Sequence, residues 1–292
     1  MSDGPALDLL VPGDLGTATG GYVYDRRILE GLERLGWRTA VHSLDPSFPR
    51  PTPAAVRAAK AVLASLPDGR LVVVDGLALG GLAAALAAEA PRLKLLALVH
   101  HPLALETGLD PGTARLLAAD ERDALAAVRG VIVTSAWTAR ALGDYGVPFG
   151  RLRVVEPGVD PVGAGARLRP PRGRGPVSLL CVATVTPRKG HDVLLDALAL
   201  LRDRPWHLTC AGSLARDPAY AERVRRQIAR LRLAPRVSLL GEVTGEALER
   251  CYRRADVFVL ASHLEGYGMA LADAVARGLP VVSTTAGAIP HT

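Results

Sequence analysis

Two carboxylates near the end of the chain have the types and spacing to bind a polar ligand. Glu265 and Asp273 lie eight residues apart, with the glycine-rich turn Gly266, Tyr267 and Gly268 between them. An apolar run precedes the turn and a helical pattern follows it. A helix N-terminus in this position binds anions, because free backbone N–H groups and the helix dipole point at the bound group. Acceptor carboxylates beside an anion site suit a ligand with phosphates and hydroxyls, such as a nucleotide sugar.

A basic pair, Arg188 and Lys189, stands at the end of a predicted strand and before a helix that begins near Asp192. Arginine offers a planar fork of donors and lysine a point charge, so the pair could clamp a diphosphate. Lysine is rare in this arginine-rich chain, and Lys60 and Lys94 are the only others. The alternative is an ordinary exposed pair, but its place at the expected ligand edge favours the clamp.

The first half carries weaker signals at two predicted strand ends. Gly20 and Gly21 close a glycine-rich loop before a helix, which also fits an ordinary tight turn. A dinucleotide-binding fold is a competing interpretation, with Asp45 as its ribose-binding acid, although the spacing is not G-x-G-x-x-G. His100 and His101 follow an apolar run and are placed to contact a sugar or phosphate. One of the two is expected to be structural, and the sequence does not decide which.

Together these motifs resemble those of retaining glycosyltransferases of family 4, which have the GT-B architecture. Glu265 and Asp273 resemble the E-x7-E signature of that family, with Asp in place of the second Glu. The resemblance implies that Glu265 binds hydroxyls of the donor sugar and that Asp273 binds the ribose. It also implies that Arg188 and Lys189 neutralise the diphosphate as it leaves, and that His100 or His101 has a catalytic role near the donor.

The same resemblance implies that loop residues surround the phosphates and the base of the donor, largely through their backbone groups. These residues are Gly20 and Gly21 at the phosphate, Gly241, Glu242 and Val243 at the base, Gly266, Tyr267 and Gly268 in the donor loop, and Gly287 with Ala288 in a small loop nearby.

Composition limits the class of protein. The 292 residues suggest two domains, and 49% hydrophobic content with 22% charged residues argues for packed cores rather than disorder. A formal net charge of +6 permits contact with an anionic membrane surface, but no nucleic-acid motif accompanies it. Three isolated cysteines lack metal-binding or disulfide spacing. Without a signal-peptide pattern or an apolar stretch of about 18 residues, the expected location is the cytoplasm, with peripheral membrane contact left open.

Strand-like runs alternate with helical patterns along the whole chain, which predicts α/β architecture with parallel sheets covered on both faces. A segment rich in Gly, Pro and Arg interrupts the alternation and predicts a linker at 162–176. We therefore expect two Rossmann-like doubly wound domains, 1–161 on the acceptor side and 177–292 for the nucleotide sugar. They should face each other across a ligand cleft, as in GT-B proteins. The second domain is expected to be incomplete, because the family normally continues with another strand and several helices.

The expected function is a retaining, metal-independent transfer of a sugar from a nucleoside-diphosphate sugar to an acceptor hydroxyl. The nucleotide sugar is a co-substrate, so no further cofactor is expected, and the acceptor could be a glycan, a lipid or a small molecule. Two alternatives stay open. One is a GT-B nucleotide-sugar epimerase, and the other is a truncated, non-catalytic paralogue that binds the donor.

Overall fold

A computed structural model describes residues 4–161 and 175–292. The chain forms two compact units, the first ending at Pro157 and the second beginning at Gly158. Most of the predicted linker at 162–176 lies outside the described residues. The predicted domain limits at 161 and 177 therefore stay predictions.

Unit 1 is built on a parallel six-stranded sheet with the strand order β2-β1-β3-β4-β5-β6. Helices connect successive strands, as parallel pairing requires. The strands are β1 (Ala6–Pro12), β2 (Arg38–Leu44), β3 (Leu71–Asp75), β4 (Lys94–Val99), β5 (Gly130–Val133) and β6 (Leu152–Val154). The α-helices are α1 (Gly20–Arg34), α2 (Pro53–Ser65), α3 (Gly76–Leu79), α4 (Ala83–Glu89), α5 (Pro111–Ala127) and α6 (Ala136–Gly143).

Short polar side chains fix where the helices of unit 1 begin. Thr19 caps α1 by accepting from the backbone N–H of Tyr22, and Ser135 caps α6 by accepting from Thr138. Asp75, the last residue of β3, caps α3 by accepting from the N–H of Leu77 at 2.9 Å. Each cap satisfies a backbone donor that the first turn leaves unpaired. The caps therefore place helix N-termini at the edge where the parallel strands end.

Unit 2 repeats this plan with a parallel five-stranded sheet in the order β11-β10-β7-β8-β9. Its strands are β7 (Val177–Val182), β8 (Trp206–Ala211), β9 (Val237–Leu239), β10 (Val257–Leu260) and β11 (Val281–Ser283). Its α-helices are α7 (His191–Ala199), α8 (Pro218–Arg230), α9 (Gly245–Arg254) and α10 (Met269–Ala276). Because β7 and β10 are hydrogen-bonded neighbours, the loops that follow them emerge side by side.

These two sheets confirm the predicted α/β class and the predicted parallel strands. Helix α4 covers only Ala83–Glu89 and follows a 3-10 turn at Gly80–Leu82. Two glycines weaken helix formation there, and a Cβ on Gly81 would lie 2.8 Å from Cγ of Pro51. No helix in the described part of the chain is long and apolar enough to cross a membrane.

Candidate functional site

The loop after β10 carries Glu265 into the interior of unit 2, where its carboxylate is tied to the loop after β7. Glu265 is buried, and its Oε1 accepts from Lys189 Nζ at 2.5 Å and from Ser262 Oγ at 2.6 Å. Lys189 is 76 residues away in the chain. The two motifs that the sequence singled out separately thus meet in one cluster.

Arg188 joins this cluster through both its side chain and its backbone. Its NH1 donates to the carbonyl of Leu264 at 2.8 Å and lies 3.8 Å from Glu265 Oε2. The backbone N–H of His263 donates to the carbonyl of Arg188 at 2.7 Å. One carboxylate therefore stands against two basic side chains, which leaves the cluster with a net positive charge when all three are ionised.

The pKa values of the cluster follow from burial and from this charge balance. Burial favours the neutral acid, but the charges of Lys189 and Arg188 outweigh it and hold the pKa of Glu265 below its usual value. Burial also lowers the pKa of Lys189, against the opposing effect of Glu265. Glu265 is therefore ionised at neutral pH and acts as an acceptor of hydrogen bonds.

Two glycines allow the loops around Glu265 to approach closely. Gly287 has φ +67°, and a Cβ there would lie 2.2 Å from the carbonyl oxygen of Glu265. The next residue, Ala288, donates its N–H to that same oxygen at 2.8 Å. Gly190 has φ +61°, and a Cβ there would lie 2.0 Å from the carbonyl oxygen of Ala261. A side chain at either position would separate the segments that assemble the cluster.

Asp273 lies in α10 and forms an ion pair with Arg277, the C-cap residue of that helix. Its Oδ1 is 3.2 Å from Arg277 NH1, in an i,i+4 ion pair. Arg277 also donates to Glu249 at 2.9 and 3.0 Å and lies over the ring of Tyr252. Burial raises the pKa of Asp273, and the Arg277 charge opposes the rise. The role of Asp273 at a donor ribose stays a prediction.

The predicted donor loop and base loop frame the same sheet edge. Gly268, with φ +107°, is the left-handed N-cap residue of α10, and Gly266 before it is buried. The carbonyl of Tyr267 accepts from the hydroxyl of Thr292. At the base loop, Gly241 has φ +73° and accepts from the N–H of Gly212 at 2.8 Å. Glu242 is exposed and Val243 is half-buried after β9.

In unit 1, Gly20 and Gly21 form the first residues of α1, directly beside the end of β4. A Cβ on Gly21 would lie 3.2 Å from both Cδ2 and Nε2 of His100, so glycine is what admits the imidazole here. Hydroxyls of Thr134 and Thr138 donate to the carbonyl of His100 at 3.3 and 3.1 Å. These contacts fix the backbone that presents the histidine.

The two histidines after β4 have different partners. His100 Nε2 lies 3.2 Å from Asp25 Oδ1 and 3.8 Å from Asp75 Oδ2, and both carboxylates are buried. His101 Nε2 lies 3.3 Å from Glu106 Oε2, and Glu106 is more exposed. The structure thus distinguishes His100, which faces two buried carboxylates, from His101, which faces one more exposed carboxylate. The catalytic role of either histidine, and donor binding by Gly20 and Gly21, stay predictions.

Asp25 and Asp75 were not predicted from the sequence. A signal for Asp75 was present, since it is a lone carboxylate at the carboxyl end of the apolar strand β3. Burial raises its pKa to about 7, and the charge of His100 opposes this rise. Burial raises the pKa of Tyr24 to about 12, and the charge of Asp25 adds to the effect. Tyr24 meets His100 edge to face, with ring centroids 5.5 Å apart.

Comparison with known proteins gives matches in both units. Residues 19–162 match the family model described as Glycosyltransferase Family 4, and residues 176–292 match the model described as Glycosyl transferases group 1. A D-inositol 3-phosphate glycosyltransferase of Pseudarthrobacter chlorophenolicus is 31% identical over 197 residues, which are 64% of this chain and 46% of the relative. The chain therefore spans about half the length of this relative.

Two solved structures share the fold over nearly the whole chain. Sucrose-phosphate synthase of Thermosynechococcus elongatus has a TM-score of 0.78 and 22% identity, covering 98% of this chain and 83% of that one. HepE of Anabaena in complex with UDP-glucose has a TM-score of 0.69 and 18% identity, covering 98% of this chain and 82% of that one. At these identities the likeness shows a common fold.

Proposed function

We propose, from the premise that this chain belongs to the family 4, group 1 glycosyltransferases, that it transfers a sugar from a nucleoside-diphosphate sugar to an acceptor hydroxyl. Membership confirms the family resemblance drawn from the sequence. The observation that carries the proposal is the cluster of the buried Glu265 with Lys189 and Arg188 at the strand-end edge of unit 2. A net positive cluster beside the N-terminus of α10 suits a diphosphate.

The basic pair supplies the charge that the departing group needs. In the transfer, the bond between the anomeric carbon and the diphosphate oxygen breaks, and a bond from that carbon to the acceptor oxygen forms. Negative charge grows on the diphosphate, and Lys189 and Arg188 stabilise it there. Preorganised stabilisation of developing charge is usually the largest single catalytic contribution. We therefore propose that the transfer step needs no metal ion.

Glu265 is assigned to the sugar. Its Oε1 already accepts from Lys189 and Ser262, whereas its Oε2 has the longer ion-pair contact with Arg188. We assign Oε2 to the sugar hydroxyls, because an ionised carboxylate accepts strong hydrogen bonds. Following the family resemblance, we propose that the transfer proceeds on one face with retention and that the acceptor proton passes to the leaving diphosphate.

The proposal also covers the acceptor and the cellular compartment of the reaction. The relative named above acts on an inositol phosphate, which makes hydroxylated small molecules the first acceptors to test, before glycans and lipids. Cys181, Cys210 and Cys251 are free thiols, consistent with a reaction in the cytoplasm.

A thermal-shift panel with UDP, GDP, ADP, TDP and NAD tests the donor site directly. One nucleoside diphosphate should raise the melting temperature of the wild-type chain, and Lys189→Ala should lose the effect. At a hundredfold excess over Kd the ligand stabilises by about 2.7 kcal/mol. UDP is the first to test, because the HepE structure holds UDP-glucose. Lys60→Ala, which changes an exposed lysine of α2, is the matched control and should bind like wild type.

Product analysis separates transfer from its alternatives. The transfer proposal expects an acceptor-dependent product whose anomeric configuration, read by NMR, matches that of the donor, with or without EDTA. A changed sugar formed without acceptor would support an epimerase instead. Nucleotide stabilisation with no turnover of any acceptor would support a non-catalytic donor-binding protein. A thermal shift with NAD alone would overturn the donor assignment.

A further inference from the structure

Unpaired polar atoms are concentrated at one place in unit 1. Among the described residues, six buried side-chain nitrogen or oxygen atoms lack a hydrogen-bond partner. Four of the six belong to one cluster, namely both carboxylate oxygens of Asp25, Oδ2 of Asp75 and Nε2 of His100. Ligand atoms of these three residues all lie within 4.8 Å of one another. Buried polar groups are nearly always paired. The grouping of four unpaired atoms on three neighbouring residues therefore indicates that these residues hold a charge between them.

The two buried carboxylates favour a cation inside this cluster. The side chain of Asp25 is fully buried, and that of Asp75 is 1% exposed. A buried carboxylate without a counter-charge costs several kcal/mol. In the described part of the chain, His100 is the basic side chain within ion-pair distance of both carboxylates. A proton on Nε2 of His100 would face both of them.

We propose that Asp25 and Asp75 are positioning residues that hold His100 as an imidazolium, with its Nε2–H directed into unit 1. The other ring nitrogen, Nδ1, then carries a proton as well. His100 is therefore a cationic hydrogen-bond donor toward an oxygen of a bound substrate, and not a base. The positioning itself is a property of unit 1, whereas the substrate contact rests on the proposed function.

Every element packed against His100 is compatible with this charge state. Helix α1 contributes Asp25 and the edge-to-face ring of Tyr24, β3 contributes Asp75, and the threonine hydroxyls donate to the His100 backbone. Burial lowers the pKa of His100, but its close contact with Asp25 and the charges of Asp25 and Asp75 raise it above its usual value. The high pKa of Tyr24 keeps its hydroxyl neutral.

Nitrogen-15 NMR of the histidine side chains measures the proposed state without any assay of activity. His100→Gln identifies the signal by removing it. In the wild type, both ring nitrogens of His100 should be protonated at pH 7. Asp25→Asn should lower the proton affinity of His100 at least tenfold, about one pKa unit. Asp75→Asn should have a smaller effect, because its oxygen is 3.8 Å from Nε2 and that of Asp25 is 3.2 Å.

Results of two kinds, one from NMR and one from metal binding, would overturn the proposal. One is a neutral His100 at pH 7 in the wild type, or a proton affinity unchanged in both variants. The other is stoichiometric binding of Zn²⁺ that Asp25→Asn abolishes, since carboxylate and imidazole groups also bind Zn²⁺ and a metal would then supply the positive charge. If Asp25→Asn does not fold, Asp75→Asn and Asp25→Glu carry the test, and Asp25→Glu should keep the cationic state.

A kinetic measurement connects this state with transfer. If the proposed function holds, the pH at which wild-type activity falls should match the pKa of His100 measured by NMR, and Asp75→Asn should move both values together. If Asp75→Asn changed one of these two values without the other, the cluster would be structural only. Absence of transfer by the wild type would count against the proposed function and would leave the NMR result standing.

Discussion

Unit 1 and unit 2 each have a cluster of charges around buried carboxylates at the edge where their parallel strands end, but the two clusters have opposite compositions. In unit 2, one carboxylate, Glu265, faces Lys189 and Arg188. In unit 1, one imidazole, His100, faces Asp25 and Asp75. The pKa of Glu265 lies below its usual value, whereas that of Asp75 rises to about 7.

The difference shows how the balance of charges decides what a buried site can do. An excess of cations keeps Glu265 ionised and leaves positive charge for an anionic ligand. An excess of carboxylates makes unit 1 retain protons, so its cluster changes charge near neutral pH. Similar sheets thus present a permanently charged site in one unit and a titrating site in the other.

Among the changes predicted for the two clusters, removal of Lys189 from unit 2 should have the largest effect, and it should act on the rate of transfer. Lys189→Ala takes away one of two cations assigned to the leaving diphosphate and should reduce kcat on the order of 100-fold or more. Steady-state kinetics checks this, with Lys60→Ala as a control that keeps wild-type turnover. Near-normal turnover of Lys189→Ala would contradict the assignment of the clamp.

Backbone crowding should disturb the same cluster without changing any charge. Gly287→Ala forces an unfavourable φ and places a methyl group against the backbone of Glu265, so we expect a loss of stability of about 3 kcal/mol. Gly241→Ala is the matched control, because φ is similar at +73° but nothing lies within 4 Å of its Cβ position. Urea denaturation of both variants measures the difference. Equal losses would mean that the contact with Glu265 carries no energy.

Unit 1 contains a further buried acid with a raised pKa, Glu121. Glu121 accepts from the N–H of Leu103 at 3.0 and 3.2 Å, and burial raises its pKa from 4.5 to about 7. Between pH 4.5 and about 7, the unfolded chain releases a proton that the folded chain keeps, so stability falls as pH rises through this range. Glu121→Gln removes this ionisation and keeps an acceptor for Leu103.

We therefore expect Glu121→Gln to be about 1–3 kcal/mol more stable than wild type at pH 8, and close to it at pH 4. Thermal or urea unfolding across this range measures the effect. Asp123→Asn, an exposed acid on the same helix, is the control and should show little pH-dependent difference. A variant that gained nothing at pH 8 would show that folding does not raise the pKa of Glu121.

The smallest effect on stability is expected at the contact between Gly21 in α1 and the ring of His100. Gly21→Ala places a methyl group 3.2 Å from the ring of His100, so the ring must move by a few tenths of an ångström at a cost of about 1 kcal/mol. Gly31→Ala, in the same helix with nothing within 4 Å, should instead stabilise by about 0.5–1 kcal/mol. Urea denaturation of the two variants compares them, and a stabilised Gly21→Ala would show that the ring does not need the glycine.

Local patterns predicted the α/β elements and singled out the residues of one of the two clusters, but not their contact. Apolar runs located the strands, and Glu265 and Lys189 could be related because each follows a strand at a ligand edge. The Asp25–His100–Asp75 cluster could not be predicted in the same way, because it joins a helix interior to two strand ends. The i,i+4 spacing of Asp273 and Arg277 is compatible with an ion pair within one helix. The sequence alone did not indicate whether Asp273 binds Arg277 or a ligand.

The separation of 76 residues between Lys189 and Glu265 also has a consequence for how the chain folds. The two loops meet only when β10 has paired with β7, whose other edge pairs with β8. Such contacts between distant parts of the chain form slowly, because the ordering entropy is lost before the contacts form. Nucleotide binding by unit 2 should therefore appear late in refolding, as a direct signal that the β7–β10 pairing is complete.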